Sequence, residues 1–182
     1  MKIAAIVGSL RKDSYNVQLV ATMQERYSQQ WDIRLVPIAD LPHYDQDQEE
    51  EPPEEVLRVK RQIAESDGVL IATPEFNWSI PGALKNALDW MSRKDKVLTN
   101  KPVMIVGAST GMMGTIRAQL HLRQILSSPG MAARVLPPNG NEVLIAMAEQ
   151  KFRDGKLQDE ATLLFLDQVT DRFAELITTT RW

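Results

Sequence analysis

No cysteine occurs among the 182 residues. That absence rules out a disulfide, a cysteine-ligated iron–sulfur cluster and a catalytic thiolate, so any redox chemistry has to come from a bound cofactor. Histidine is scarce as well: His43 and His121 stand alone, and no carboxylates accompany them at metal-ligand spacing, so no metal site is expected. Neither sign of charge dominates. The 21 basic and 24 acidic residues leave a net charge of −3, which gives no electrostatic footprint for nucleic acid or an anionic membrane. Long apolar runs are missing too. The first, residues 3–7, stops at Gly8 and Ser9, short of the apolar stretch of about 7–15 residues in a signal peptide, and nothing later approaches a membrane span. The expectation is a cytoplasmic protein forming one domain over residues 1–182, since the length suits one α/β unit and is too short for two of ordinary size.

What is present is a repeating alternation. Residues 3–7, 69–73 and 103–106 are branched and apolar without a polar alternate, as in strands buried on both faces of a parallel sheet. Residues 33–38 form a more mixed strand, and residues 134–136 or 142–145 supply a fifth. Between them lie helical periods. Val17, Val20, Met23 and Tyr27 recur near 3.6 residues, as do Ala83, Leu84, Ala87, Leu88 and Met91. Further helices are expected over residues 53–66, after Gly114 with Ile116, Leu120 and Ile125 apolar, and from an Asp159 N-cap onward. The last buries Ala161, Leu164, Phe165, Val169, Phe173 and Ile177. Strand and helix alternating in this way imply right-handed crossovers and a doubly wound α/β sheet.

In such a sheet, ligands bind beyond the carboxyl ends of the strands. The loop after the first strand, Gly8-Ser9-Leu10-Arg11-Lys12-Asp13-Ser14-Tyr15-Asn16, has neither the glycines of a dinucleotide fingerprint nor a P-loop lysine. It offers hydroxyls, a guanidinium, an amide and N–H groups at a helix start, which suit a terminal phosphate monoester such as that of FMN. The plainer reading is a helix cap at Asp13 or Ser14 with a solvated Arg11. The loop after the third strand, residues 73–82, places Phe76 and Trp78 around Asn77 between stiffening prolines. It suits a platform for a flat ring, or aromatics packed beneath the loop or in a subunit interface. Residues 107–114 are small and glycine-rich, so N–H groups can approach a ligand or simply make a turn. The acidic stretch 45–55 is a solvated loop or a flap near the site.

Together these loops resemble the NADPH-dependent FMN reductase family, flavodoxin-like enzymes that include quinone, azo-dye and chromate reductases. The family pattern Gly-Ser-x-Arg-x-x-Ser-x-Asn is met by Gly8, Ser9, Arg11, Ser14 and Asn16. Its Pro-Glu-Tyr-Asn-x-Ser-x-Pro-Gly-x-Leu-Lys-Asn-Ala-x-Asp-Trp is followed from Pro74 to Trp90, with Phe76 in the tyrosine's place. Arg117-Ala118-Gln119 and Leu122-Arg123-Gln124 continue the likeness, which closes at Asp159-Glu160-Ala161-Thr162. The resemblance implies a flavodoxin-like five-stranded parallel sheet of order 2-1-3-4-5 with helices on both faces. It implies that Ser9, Arg11, Ser14 and Asn16 hold the FMN phosphate with Tyr15 beside them. Pro74, Glu75, Phe76 and Asn77 would line the ring, and Ser109, Thr110 and Gly111 would close its other side.

By the same resemblance the chain is a reductase that carries hydride from NADPH or NADH through FMN to a quinone, azo compound, chromate or free flavin; one flavin site with no separate dinucleotide fingerprint makes the expected cycle ping-pong. The flavin carries the chemistry, so no side chain is assigned as catalytic. Assembly into a homodimer or homotetramer through the helix bearing Lys85, Asn86, Asp89 and Trp90 is implied as well, with an exposed Trp90 at the interface or a buried one in the core. Phe76, Thr110 and Thr115 depart from the family pattern, at positions where tyrosine, proline and glycine are common. The alternative on this fold is a flavodoxin-like electron carrier without NAD(P)H turnover. Flavodoxins typically have a threonine-rich phosphate loop and a strongly acidic docking face, and neither is clear in this sequence.

Overall fold

The computed structural model describes residues 1–180. Three strands, β1 (Lys2–Val7), β3 (Gly68–Ala72) and β4 (Pro102–Ala108), are buried almost end to end. Their unbroken apolar runs follow from being covered on both faces. β2 (Asp32–Leu35) is an edge strand with only Ile33 buried, which is why its sequence is mixed. All pairings in the main sheet are parallel, in the order β2-β1-β3-β4-β5. The expected order is therefore met. Both candidates for the fifth strand are used: β5 (Arg134–Val135) pairs with Pro102 and Val103, and β6 (Val143–Ile145) pairs further along β4 with residues 106–108. One position in the sheet is thus filled by two short strands, interrupted by a segment containing Pro137 and Pro138 that cannot donate to a ladder.

Successive residues of each strand feed opposite faces. Ile3, Ala5 and Val7 join one core with α1 (Tyr15–Arg26) and α6 (Glu160–Thr180). Ala4 and Ile6 join the other with α2 (Glu54–Ala64), α3 (Gly82–Met91) and α4 (Ile116–Leu126). Gly68 allows α6 to close on the sheet, since a Cβ there would lie 2.9 Å from both Phe173 and Ile177. A short helix α5 (Ala148–Lys151) and the hairpin of β7 (Phe152–Arg153) and β8 (Lys156–Leu157) lead into α6. Phe152 of that hairpin packs on Tyr15 with ring centroids 5.2 Å apart.

Some periodic positions need correction. Leu120 and Leu164 are exposed and so is Ala161; the buried stripes are Ala118, Leu122 and Leu126 on α4, and Leu166, Val169, Phe173 and Ile177 on α6. Each true stripe runs at spacings of three and four, and the exposed leucines fall off it. Trp90 takes the core alternative. It is 1% exposed, its Nε1 donates to the Pro42 carbonyl, and Tyr44 meets it edge-on. Asn86 is also engaged internally, donating to Pro42 and accepting from the Tyr44 N–H. The acidic stretch, with a 3-10 turn at Gln46–Gln48, is strapped to the end of α3 through Arg93–Glu49 and Lys94–Glu50 ion pairs.

α6 begins as expected at Asp159, whose carboxylate accepts from the N–H and hydroxyl of Thr162. About two turns later, Asp167 fastens α6 to α1 by accepting from Arg26 Nε at 2.7 Å and from the Tyr27 hydroxyl at 2.9 Å. The Arg26 guanidinium holds the Asp167 carboxyl below its ordinary range against a smaller opposing effect of burial. A lowered carboxyl stabilises the fold above its unfolded value of about 4, and this contribution is lost as pH falls through the folded value. Asp167→Asn is therefore expected to flatten the loss of stability below about pH 4. Urea midpoints measured from pH 6 down to pH 2 check this, and parallel curves for the two proteins would contradict it.

Candidate active site

Three loops meet at the carboxyl ends of β1, β3 and β4. In the first, Ser14 caps α1, its Oγ accepting from the Asn16 N–H at 3.2 Å. Asp13 is exposed and takes no part in the cap. The Ser9 hydroxyl accepts from the Arg11 N–H at 3.3 Å. Among the described residues, the side chains of Arg11 and Lys12 have no ion-pair partner, and the N–H groups of Ser9, Lys12, Asp13 and Tyr15 have no hydrogen-bond acceptor. The loop therefore presents unpaired donors and positive charge at the start of a 12-residue helix, where the helix dipole adds to them.

Asn16 bridges this loop to the third one by its side-chain amide. It is 2% exposed, donates to the Ala108 carbonyl at 3.0 Å and accepts from the Ala108 N–H at 2.9 Å. The amide thus imitates a strand partner for the end of β4 and pins the first loop to the third.

In the second loop, Phe76 and Ser79 exchange two backbone hydrogen bonds of 3.0 Å, and Asn77 and Trp78 between them take φ of 51° and 63°. Positive φ at both central positions describes a two-residue turn of the mirror-image type. Asparagine suits it, whereas a tryptophan there costs about 1–2 kcal/mol. The Trp78 ring is stacked by the Arg117 guanidinium, 4.2 Å from its centroid, which favours the strained placement.

Glu75 reaches across to α4 and accepts from the N–H groups of Arg117 at 2.9 Å and Ala118 at 3.1 Å. These are donors of the first helical turn, and a carboxylate there is favoured by the dipole. Thr115, the residue preceding α4, makes no such cap. It is buried at φ 72° and its Oγ1 accepts from Gln119. That φ is one that glycine adopts without strain and threonine rarely does. A Cβ on Gly107 would lie 2.0 Å from the Thr115 hydroxyl oxygen and 2.7 Å from the Thr73 carbonyl oxygen, so Gly107 leaves the space that Thr115 fills.

The third loop is clamped from below. Ser109 donates its N–H to Ile145, Ala148 donates to the Ser109 carbonyl, and Met147 donates to Gly111. Thr110 and Gly111 are exposed, and their N–H groups have no acceptor among the described residues.

Between the loops lies a cleft of about 190 Å³. It brings together Ser9, Arg11, Ser14, Tyr15 and Asn16, then Pro74, Glu75 and Phe76, then Ser109 and Thr110, with Ala108 added. Asn77 and Gly111 lie outside its lining. The sequence reading missed Ala108, the cap that Glu75 provides, and the Arg117 stack on Trp78. An aromatic followed by a cation some forty residues later carries no local signal. The donor chemistry fits FMN: unpaired hydroxyl, guanidinium and N–H groups at one end for a phosphate, and an aromatic face with free N–H groups at the other for a polar ring edge. Phe76 is 54% exposed, so the ring platform is open to solvent on one side.

The comparisons with known proteins agree with this geometry. A family model described as NADPH-dependent FMN reductase matches residues 1–150. The chain is 43% identical over 182 residues to the NADH:(hydroxy)cinnamate reductase subunit CrdA of Vibrio ruber, covering 98% of this chain and 89% of that one. It is 39% identical over 183 residues to a quinone reductase of Escherichia coli K12, covering 97% and 95%. The solved structure of FerB, a flavoenzyme NAD(P)H:(acceptor) oxidoreductase from Paracoccus denitrificans, superposes with a TM-score of 0.87 at 37% identity over 98% of both chains. The chain accordingly belongs to the NADPH-dependent FMN reductase family, oxidoreductases of flavodoxin-like fold that work with FMN and a nicotinamide dinucleotide.

Proposed function

We propose that this chain takes hydride from NAD(P)H and delivers it, by way of FMN held in the three-loop cleft, to a small electron acceptor, with a quinone as the leading candidate. The observation that carries the reading is the convergence of unpaired donors at Ser9, Arg11 and the start of α1 with an open aromatic platform at Phe76. When bound, FMN supplies the hydride chemistry. The protein's part is placement. Arg11 neutralises the phosphate, Asn16 holds the first and third loops in register, and Glu75 anchors the second loop to α4. Thr110, on the cleft lining with its N–H unpaired, would offer a donor to negative charge on a reduced ring.

Quinone is favoured among azo compounds, chromate and free flavin because the residues around the cleft are apolar and soft. Phe76 lines the cleft and is exposed, and the second and third loops also carry the exposed Trp78, Met112 and Met113; thioethers and rings adapt to flat apolar partners. The Escherichia coli relative is itself named a quinone reductase. One cleft serving NAD(P)H and acceptor in turn gives a ping-pong cycle. A cytoplasmic location, where NAD(P)H is available, and assembly into a homodimer or homotetramer belong to the same reading.

The test is to load purified protein with FMN and follow NADH and NADPH oxidation against a benzoquinone, an azo dye, chromate and free FMN. Turnover with parallel double-reciprocal lines is expected, fastest with the quinone. Flavin binding without turnover would make the protein an electron carrier instead.

A further inference from the structure

Beside the first loop, on the side away from the FMN cleft, lies a second groove of about 470 Å³. Leu10, Leu35 and Pro37 form its walls, Lys12 stands in its lining, and it shares Ser9 and Arg11 with the cleft. We propose that this groove receives the adenosine phosphate half of NAD(P)H, with Lys12 making the ionic contact to its phosphate. The proposal rests on the reductase reading and names the subsite that a dinucleotide substrate would use.

Three observations carry it. The first is continuity: a molecule that places its nicotinamide at the flavin must lay its other half on adjoining surface, and only Ser9 and Arg11 separate the two hollows. The second is charge. In a chain of net charge −3, this groove is lined by two cations and no carboxylate. Neither cation has an ion-pair partner among the described residues; with Arg11 given to the FMN phosphate, Lys12 is the cation left for a second anion.

The third observation is the walls. Leu10 is 59% and Leu35 48% exposed. The edge strand ends at the exposed Leu35, and Pro37 two residues on is exposed too, an apolar wall of the kind a purine face covers. No glycine fingerprint is needed, because the phosphates would be met by side chains at the rim rather than cradled by backbone.

Two phosphates share this chemistry: the diphosphate, present in both coenzymes, and the 2′-phosphate, present in NADPH alone. The experiment separates them. FMN-loaded wild type, Lys12→Ala and Leu35→Glu are titrated calorimetrically with ADP and with adenosine 2′,5′-bisphosphate, and KM for NADH and NADPH is measured on each. Neither Lys12 nor Leu35 lines the FMN cleft and both are exposed, so circular dichroism should match wild type and the FMN dissociation constant should stay within about twofold, against the far larger change expected at Arg11.

Lys12→Ala is expected to weaken nucleotide binding and raise KM roughly threefold to tenfold with kcat unchanged, the worth of one partly exposed charge-assisted contact. Leu35→Glu should do the same by placing a carboxylate on the wall. A loss limited to adenosine 2′,5′-bisphosphate and NADPH assigns Lys12 to the 2′-phosphate; an equal loss for both assigns it to the diphosphate. Unchanged binding and KM in both variants would overturn the proposal. If wild type binds FMN yet oxidises no NAD(P)H, the reductase reading fails, and the calorimetric titration still decides the groove by itself.

Discussion

Replacing Arg11 by alanine is expected to raise the FMN dissociation constant about 10- to 100-fold, because hydrogen bonds to a charged group contribute about 1.5–3 kcal/mol each. The Arg11 guanidinium is exposed and has no acidic partner within the described chain. A phosphate monoester gains its full attraction without first breaking an internal ion pair. For the same reason the folded protein should hardly notice the change: the side chain makes no hydrogen bond, and melting temperature should shift by no more than about 2 °C. Arg11→Lys should fall between wild type and alanine, since it keeps the charge and loses the planar fork. Fluorescence titration of free FMN with apoprotein, at two salt concentrations, measures all three. A dissociation constant unmoved by Arg11→Ala would remove this residue from the phosphate site and leave the helix start and the serines to account for binding.

The parallel sheet was legible because β1, β3 and β4 are buried on both faces, which forces unbroken apolar runs; its strand order came from the family resemblance. The fifth position resisted a single assignment because two segments fill it, each too short to carry a period of its own. Helix faces were legible in part. Leu120 and Leu164 look like core residues in any hydropathy count, and only the packed sheet shows that the buried stripe passes beside them. Trp90 could not be placed from sequence, since the Pro42 carbonyl that satisfies its N–H lies 48 residues away.

The same division runs through the site. Residues at strand ends converge wherever a doubly wound sheet forms, so Ser9, Arg11, Pro74, Phe76, Ser109 and Thr110 meet in one cleft by topology. What holds them in place was hidden. Glu75 caps a helix that begins some forty residues later, Thr115 occupies space that Gly107 vacates, and Trp78 keeps a left-handed backbone under an arginine from α4. Each is a partnership between distant residues that no spacing rule encodes. Thr115 is the most instructive of them. It stands where glycine would relieve the backbone, and in exchange its hydroxyl accepts from Gln119 and its bulk fills the hollow beside Gly107.

Asn16 yields the prediction that separates holding a ligand from holding a loop. Asn16→Leu would leave the Ala108 N–H and carbonyl buried without partners, 92 residues away in sequence. Unsatisfied buried groups cost about 1–3 kcal/mol each. A loss of roughly 2–4 kcal/mol is expected, with a fall in melting temperature of about 5–15 °C at this chain length. FMN affinity should fall with it, because the first and third loops lose their common register. Asn16→Asp gives the sharper readout. Its carboxylate could still accept from the Ala108 N–H, yet would face the Ala108 carbonyl oxygen where the amide now donates at 3.0 Å. At pH 7 the variant should be destabilised as much as the leucine variant. As pH falls toward about 4 the carboxyl protonates, regains a donor, and stability relative to wild type should recover. Thermal melts of the three proteins between pH 7 and pH 4 measure this. A penalty independent of pH in Asn16→Asp, or no penalty in Asn16→Leu, would show that the bridge to Ala108 does not hold the site together. A fall in FMN affinity without loss of stability would instead make Asn16 a direct ligand of the flavin phosphate.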